Sequence, residues 1–228
     1  SIALPSLTAA TAFAQAVPQE CGYLQSSGRF GPYDYRAEKF LPDNTYRSHA
    51  GVLNLVESAH FTAVVEGLLS GAKGGLPGRD LTYTLHAFPN HHRALLAMAA
   101  LAAKAGVDPP PLSPYTVKCW FQRAVAYKPD DHIVRLIYAG YLIKAKLSQE
   151  AEQQIDFVAN QAGDNPFTHQ NIGLVYFDMG KYDLALQQAH KAIELGLNRP
   201  ELKDQLTKIG KWSEPVSPPE TTTGKSTP

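Results

Sequence analysis

The chain has 228 residues, 44% of them apolar, with Lys plus Arg equal to Asp plus Glu at 21 each. That is enough apolar material for one substantial domain or a short repeat array with a continuous core, so disorder is not the default. Zero formal net charge likewise excludes a sequence-wide field that would draw in nucleic acid or an anionic membrane.

The first sixteen residues, SIALPSLTAATAFAQA, carry no charge and end in the A-x-A pattern Ala14-Gln15-Ala16. They read as the rear part of a bacterial secretory signal, or as a retained apolar arm over residues 1–20 built on Ile2, Leu4, Leu7, Phe13 and Val17. The expected localisation is therefore secreted, extracellular or periplasmic. No stretch offers about 18 uninterrupted apolar residues, so no stable membrane span is expected. Cys21 and Cys119 stand in no CxxC or Cys/His ligand spacing, which argues against structural zinc or a redox motif. They are left as candidates for one disulfide, within or between subunits.

Residues 21–79 divide into an irregular, aromatic- and Gly-rich segment and a helical one. From Cys21 to Pro42 no helical period is sustained, and Tyr23, Phe30, Tyr33, Tyr35 and Phe40 are read as covering the open end of a repeat stack, with a recognition surface as the alternative. Val52, Leu55, Val56, Phe61, Val64, Val65 and Leu68 then recur at three- and four-residue steps, predicting one or two helices. GAKGGLPGRD lacks the G-x(4)-G-K-[ST] order of a phosphate loop and is read as a turn.

From residue 80 to 212 the chain is expected to be helical and repetitive. Residues 80–88 predict a helix before Pro89, and HHRALLAMAALAAKAG a second centred on Met98, Ala99 and Ala102. DPPPLSP at 108–114 forbids helix, and CWFQRAVAYKPDD predicts the next one. One constant spacing then pairs Tyr138 with Ile172, Ala139 with Gly173, Leu142 with Tyr176, Ala151 with Ala185 and Val158 with Ala192. Small falls on small because antiparallel helices approach closely only over small side chains. Lys146 and Ser148 stand where the next repeat has Gly180 and Tyr182. PELKDQLTKIGKW at 200–212 predicts a polar capping helix, and residues 213–228 a Pro/Thr-rich tail.

The set Ile172, Gly173, Tyr176, Gly180, Tyr182, Ala185 and Ala192 resembles the tetratricopeptide repeat family. The likeness covers about residues 80–197 and implies a mainly α fold, a solenoid of about three to four helical hairpins. It also implies that first helices line a groove for polypeptide. At the matching positions stand Leu96, Ala100, Ile133, Leu136, Gly140, Ile143, Phe167, Gln170, Leu174 and Phe177. The set is mainly apolar and lacks the basic residues of the family's carboxylate-clamp variety at most of these places. Some of these side chains are alternatively expected to pack against the N-terminal region.

No catalytic residue, cofactor or metal site is expected. His86, His91 and His92 lack the carboxylate of an H-E-x-x-H set, and the adjacent pair is explained by helix capping and surface solvation. Glu38, Asp43 and Glu57 form no recognisable acid/base pair, and no nucleophile motif is present. The expected function is non-enzymatic polypeptide binding. Its leading form is a pilus-like extracellular filament, a homopolymer in which the N-terminal arm of one subunit inserts into the next. The alternative is a monomeric periplasmic adaptor for a different protein.

Overall fold

A computed structural model describes residues 16–24, 30–39 and 50–215. Ile2, Leu4, Leu7 and Phe13 of the expected arm lie outside these residues, as does the tail beyond 215. The described residues are mainly α-helical and contain no strand. A 3-10 turn at Gln19–Cys21 precedes α1 (Tyr35–Lys39), α2 (Ala50–His60), α3 (Ala63–Glu66), α4 (Gly78–Ala87), α5 (His92–Ala105) and α6 (Val117–Tyr127). They are followed by α7 (His132–Lys144), α8 (Ser148–Ala159), α9 (Pro166–Asp178), α10 (Tyr182–Glu194) and α11 (Pro200–Lys208). The five-residue α1 interrupts a segment expected to be irregular, and α11 stops short of the expected residue 212. No helix among the described residues is long and apolar enough to cross a membrane.

The helices start and stop for local reasons. His91, Thr116, Asp131 and Asn165 each accept a backbone N–H of the first turn of α5, α6, α7 and α9. Pro166 and Pro200 occupy the first helical position, where a missing N–H costs nothing. The interval between the caps at 131 and 165 equals that between the starts of α8 and α10, whereas the interval from 91 to 131 is longer. At the end of α9, Gly180 lies at φ 72°, with its N–H on Phe177 C=O and the Lys181 N–H on Tyr176 C=O. Lys146 makes the same turn after α7 at φ 62°, with Leu147 N–H on Leu142 C=O. This is a left-handed conformation that a β-carbon disfavours.

The chain divides into two compact units, the first ending at Tyr141 and the second beginning at Leu142, within α7. In the first, Leu81, Leu85, Leu95, Met98, Trp120 and Phe121 are almost wholly buried, and Phe121 stacks on Tyr138 with ring centroids 5.0 Å apart. Tyr35, Leu53, Val56, Ala87 and Phe88 form an adjoining cluster that seats α1 and α2 against α4. In the second unit, α9 packs closely on α10 and both meet α11. There Ile155, Val158, Ile172, Ala185, Ala192, Leu202 and Leu206 are buried.

Small residues set the helix spacing in that second unit. A β-carbon at Gly173 would overlap Leu202 Cδ2 and come within 3.2 Å of Gln188 Cβ and 3.3 Å of Ala185 O. In the first unit, GAKGG is a turn closed by Gly71 N–H on Gly75 C=O at 2.9 Å. Asp80 braces it, accepting the Ala72 N–H at 2.9 Å and His60 Nδ1 at 2.8 Å.

Candidate functional site

The ten residues expected to line a groove divide evenly between the two units. In the first, Leu96 is 50% and Ile133 38% exposed, Ala100 is exposed and Gly140 half-buried, whereas Leu136 is buried at 5%. In the second, Phe167 is 52% exposed, with the Arg199 guanidinium 5.3 Å above its ring, and Ile143, Leu174 and Phe177 are half-buried. Gln170 is buried at 6%, and its Nε2 has no hydrogen-bond partner among the described residues. Leu136 and Gln170 are therefore enclosed within their own units, whereas the other eight keep some exposed surface.

A second set of polar residues comes together in the first unit. Residues 16–24 lie along α6 from Cys119 to Arg123, and residues 30–36 lie on the C-terminal ends of α4 and α6; the two stretches are called the strap. A disulfide joins Cys21 to Cys119 on α6, with Cα atoms 5.1 Å apart. One helical turn further along, Arg123 Nη1 donates to the carbonyls of Cys21 at 2.8 Å and Tyr23 at 3.0 Å. Tyr127 Oη donates to Pro32 C=O at 3.1 Å, and the Tyr33 N–H donates to Ala87 C=O at 2.8 Å. Val17, the described member of the expected arm, is half-buried.

At the strap's far end Asn90, fully buried, is the centre of a polar network. Its Oδ1 accepts the Tyr35 N–H at 3.0 Å, and its Nδ2 donates to Asp34 at 2.7 Å and to Asp131 at 2.9 Å. Arg36 pairs with Asp34, Asp130 and Asp131, Lys128 with Asp34, and His92 Nε2 with Asp131 at 3.0 Å. Burial alone would raise the Asp34 carboxyl, but hydrogen bonds from Arg36 and Asn90 outweigh it and hold the group well below the usual carboxylate range. Asp131 is likewise lowered, burial being overcome by His92, Asn90 and the Val134 N–H.

His91 adjoins this network and has no exposed surface. Its Nδ1 accepts the Ala94 N–H at 3.1 Å, and its Nε2 donates to Glu57 at 3.0 Å. Tyr35 stacks on the ring at 4.1 Å and Phe61 meets it edge-on at 4.7 Å. Burial pushes the imidazole down against the opposing pull of Glu57, and the hydrogen bond from His91 lowers Glu57. Arg93 in turn pairs with Glu66 and lies 5.2 Å from the Phe61 ring. Both His91 nitrogens are committed, so no lone pair is free to move a substrate proton. The arrangement holds α2, the strap and α5 together.

The capping role expected of the histidine pair is present, but His91 is enclosed rather than solvated. Asp34, Asn90 and Asp131 carry no motif; Asn90 and Asp131 share with Asn165 a place just before a helix start, and Asp34 has no such signal. Comparison with known proteins returned nothing: no family model, curated protein or solved structure matches this chain.

Proposed function

We propose that this chain is a non-enzymatic, secreted helical-repeat protein of the tetratricopeptide kind that works by binding polypeptide, with other copies of itself as the main partner. The apolar arm of residues 1–17 lies on the exposed first-helix positions of a neighbour, around Leu96 and Ile133 or Phe167, and repetition of that contact builds a filament. No cofactor takes part.

The observation that carries this reading is the fixed root of the arm. The disulfide and Arg123 hold Cys21–Tyr23 on α6, so a donated arm would stay tied to its own subunit. Recurrence of helix starts at one constant interval, from α7 to α9 and from α8 to α10, supports the repeat assignment. The disulfide also favours an oxidising compartment, extracellular or periplasmic. Half-exposed Phe167 beside Arg199 equally suits a different protein's peptide, which is the adaptor reading.

The test is electron microscopy of the purified full chain beside a deletion of residues 1–16, with circular dichroism as the folding control. Fibres from the full chain that vanish on deletion, at unchanged helix content, are expected. Fibres that survive the deletion overturn the arm-insertion reading, and isolated particles from the full chain favour the adaptor.

A further inference from the structure

We infer that the face of α6 from Cys119 to Arg123, with Tyr115 before it, is a polypeptide-binding site for a turn followed by glycine, filled by the chain's own residues 16–24 and held shut by the Cys21–Cys119 bond. This site uses none of the first-helix positions and does not depend on whether the arm joins copies.

Three observations define the ligand. Residues 19–21 form a 3-10 turn closed by the Cys21 N–H on Pro18 C=O, so the segment arrives as a turn. Gly22 follows at φ 68°, and a β-carbon there would overlap Tyr115 Oη, so both backbone and space require glycine. Arg123 then reads the main chain on either side of that glycine, through the carbonyls of Cys21 and Tyr23. Among the described residues, no side chain of the strap supplies Arg123 with a charge.

The hold of Arg123 alone is weak for its degree of burial. The residue is 1% exposed, its Nε has no partner and no carboxylate pairs with it among the described residues. Its other contacts are His86 Nδ1 at 3.4 Å and the Tyr115 and Trp120 rings at 5.0 and 5.4 Å. Carbonyls and aromatic faces offset only part of the cost of burying a cation, so the covalent bond supplies much of the hold and its loss lets the segment open more often. A dithiol opens it: one thiolate attacks Cys119 Sγ, the reagent's second thiol resolves the mixed disulfide, and two thiols remain on the protein. The downstream strap keeps its separate anchors at Ala87, Asn90 and Tyr127.

Deuterium exchange of the full chain tests the latch. Dithiothreitol should speed exchange at residues 19–23 by about tenfold or more, with helix content and the anchors near Tyr33 and Tyr35 unchanged. Binding is tested with a labelled peptide of residues 16–24 bearing Cys21→Ser, by fluorescence anisotropy. The receptor is the full chain carrying Cys21→Ser, Cys119→Ser and Gly22→Ala, whose own segment is excluded by Tyr115. Saturable binding is expected, weaker by at least about tenfold when the peptide also carries Gly22→Ala, and absent with the oxidised wild type. Should the triple variant lose helix, the peptides are tested on the reduced wild type above about a millimolar, where they compete with the tethered segment. Continued protection of residues 19–23 after reduction, no peptide binding, or equal binding of the two peptides overturns the inference.

Discussion

Asn90 donates through its side-chain amide to Asp131 at 2.9 Å, and so joins the residue before the α5 cap to the residue that caps α7. The same amide holds Asp34 and the Tyr35 backbone, so one buried side chain ties two helix starts to the strap.

Asn90→Ala leaves Asp34, Asp131 and the Tyr35 N–H each short of a buried partner. Unsatisfied buried groups cost about 1–3 kcal/mol each with partial relaxation, so a loss of about 3 kcal/mol is expected in urea denaturation. Asn90→Asp adds a third carboxylate to the site and should cost more.

The histidine cap makes stability depend on pH. Burial lowers the His91 imidazole below its ordinary 6.5, so the unfolded chain takes the proton first. Its contribution is full above about pH 6.5 and declines as the pH falls below it. Asp34 and Asp131, with ordinary values of 3.8, and Glu57, at 4.5, are also held down and add a second loss below those values. His91→Asn keeps a side-chain oxygen for the Ala94 N–H and carries no titrating group. Thermal unfolding of that variant should lose the slope just below pH 6.5 together with Glu57's share of the lower one, and keep the part that comes from Asp34 and Asp131.

Gly173 sits in an α9 interior where alanine has the better helix propensity by about 1 kcal/mol. Overlap with Leu202 Cδ2 and the tight approach to Gln188 Cβ and Ala185 O outweigh that gain. Gly173→Ala should destabilise the chain by about 1–2 kcal/mol in urea, and Gly173→Val by more.

Lys146 presents the opposite case, a side chain where the backbone wants none. Its φ of 62° is close to the 72° of Gly180, which stands at the matching place after α9. Lys146→Gly should raise the urea midpoint by an amount equal to about 1 kcal/mol, the cost of a left-handed residue less the added freedom of the unfolded chain. A lowered midpoint would count against the strain.

Cys21 and Cys119 are 98 residues apart. Closing a loop of about 100 residues removes up to ~4.7 kcal/mol of unfolded-chain entropy. Replacing both cysteines by serine should cost about 3–4 kcal/mol in chemical denaturation under non-reducing conditions.

The helical half of this arrangement is legible in the sequence because its signals are local. Proline at 166 and 200, and the small residues at 151, 173 and 185, mark helix starts and close contacts within a few residues of where they act. The polar network is not legible, because Asp34, Glu57, Asn90 and Asp131 meet only after four separate segments have folded, and one sequence carries no record of such pairings. His91 shows the difference well. Its capping role follows from its place before an apolar run, but its burial is imposed by Tyr35, Glu57 and Phe61 from elsewhere. The shortfall of α11 has a local cause, since Gly210 turns the backbone at φ 69° with its N–H on Thr207 C=O.

The bridge between Cys21 and Cys119 also sets a path for mechanical load. A pull on the N-terminus would pass through sulfur into α6 and bypass the residues between the two cysteines, which could neither lengthen nor unravel while the bond held. Tension would then fall on α6 and the helices after it. A chain so arranged would resist stretching in its first half and yield in its second.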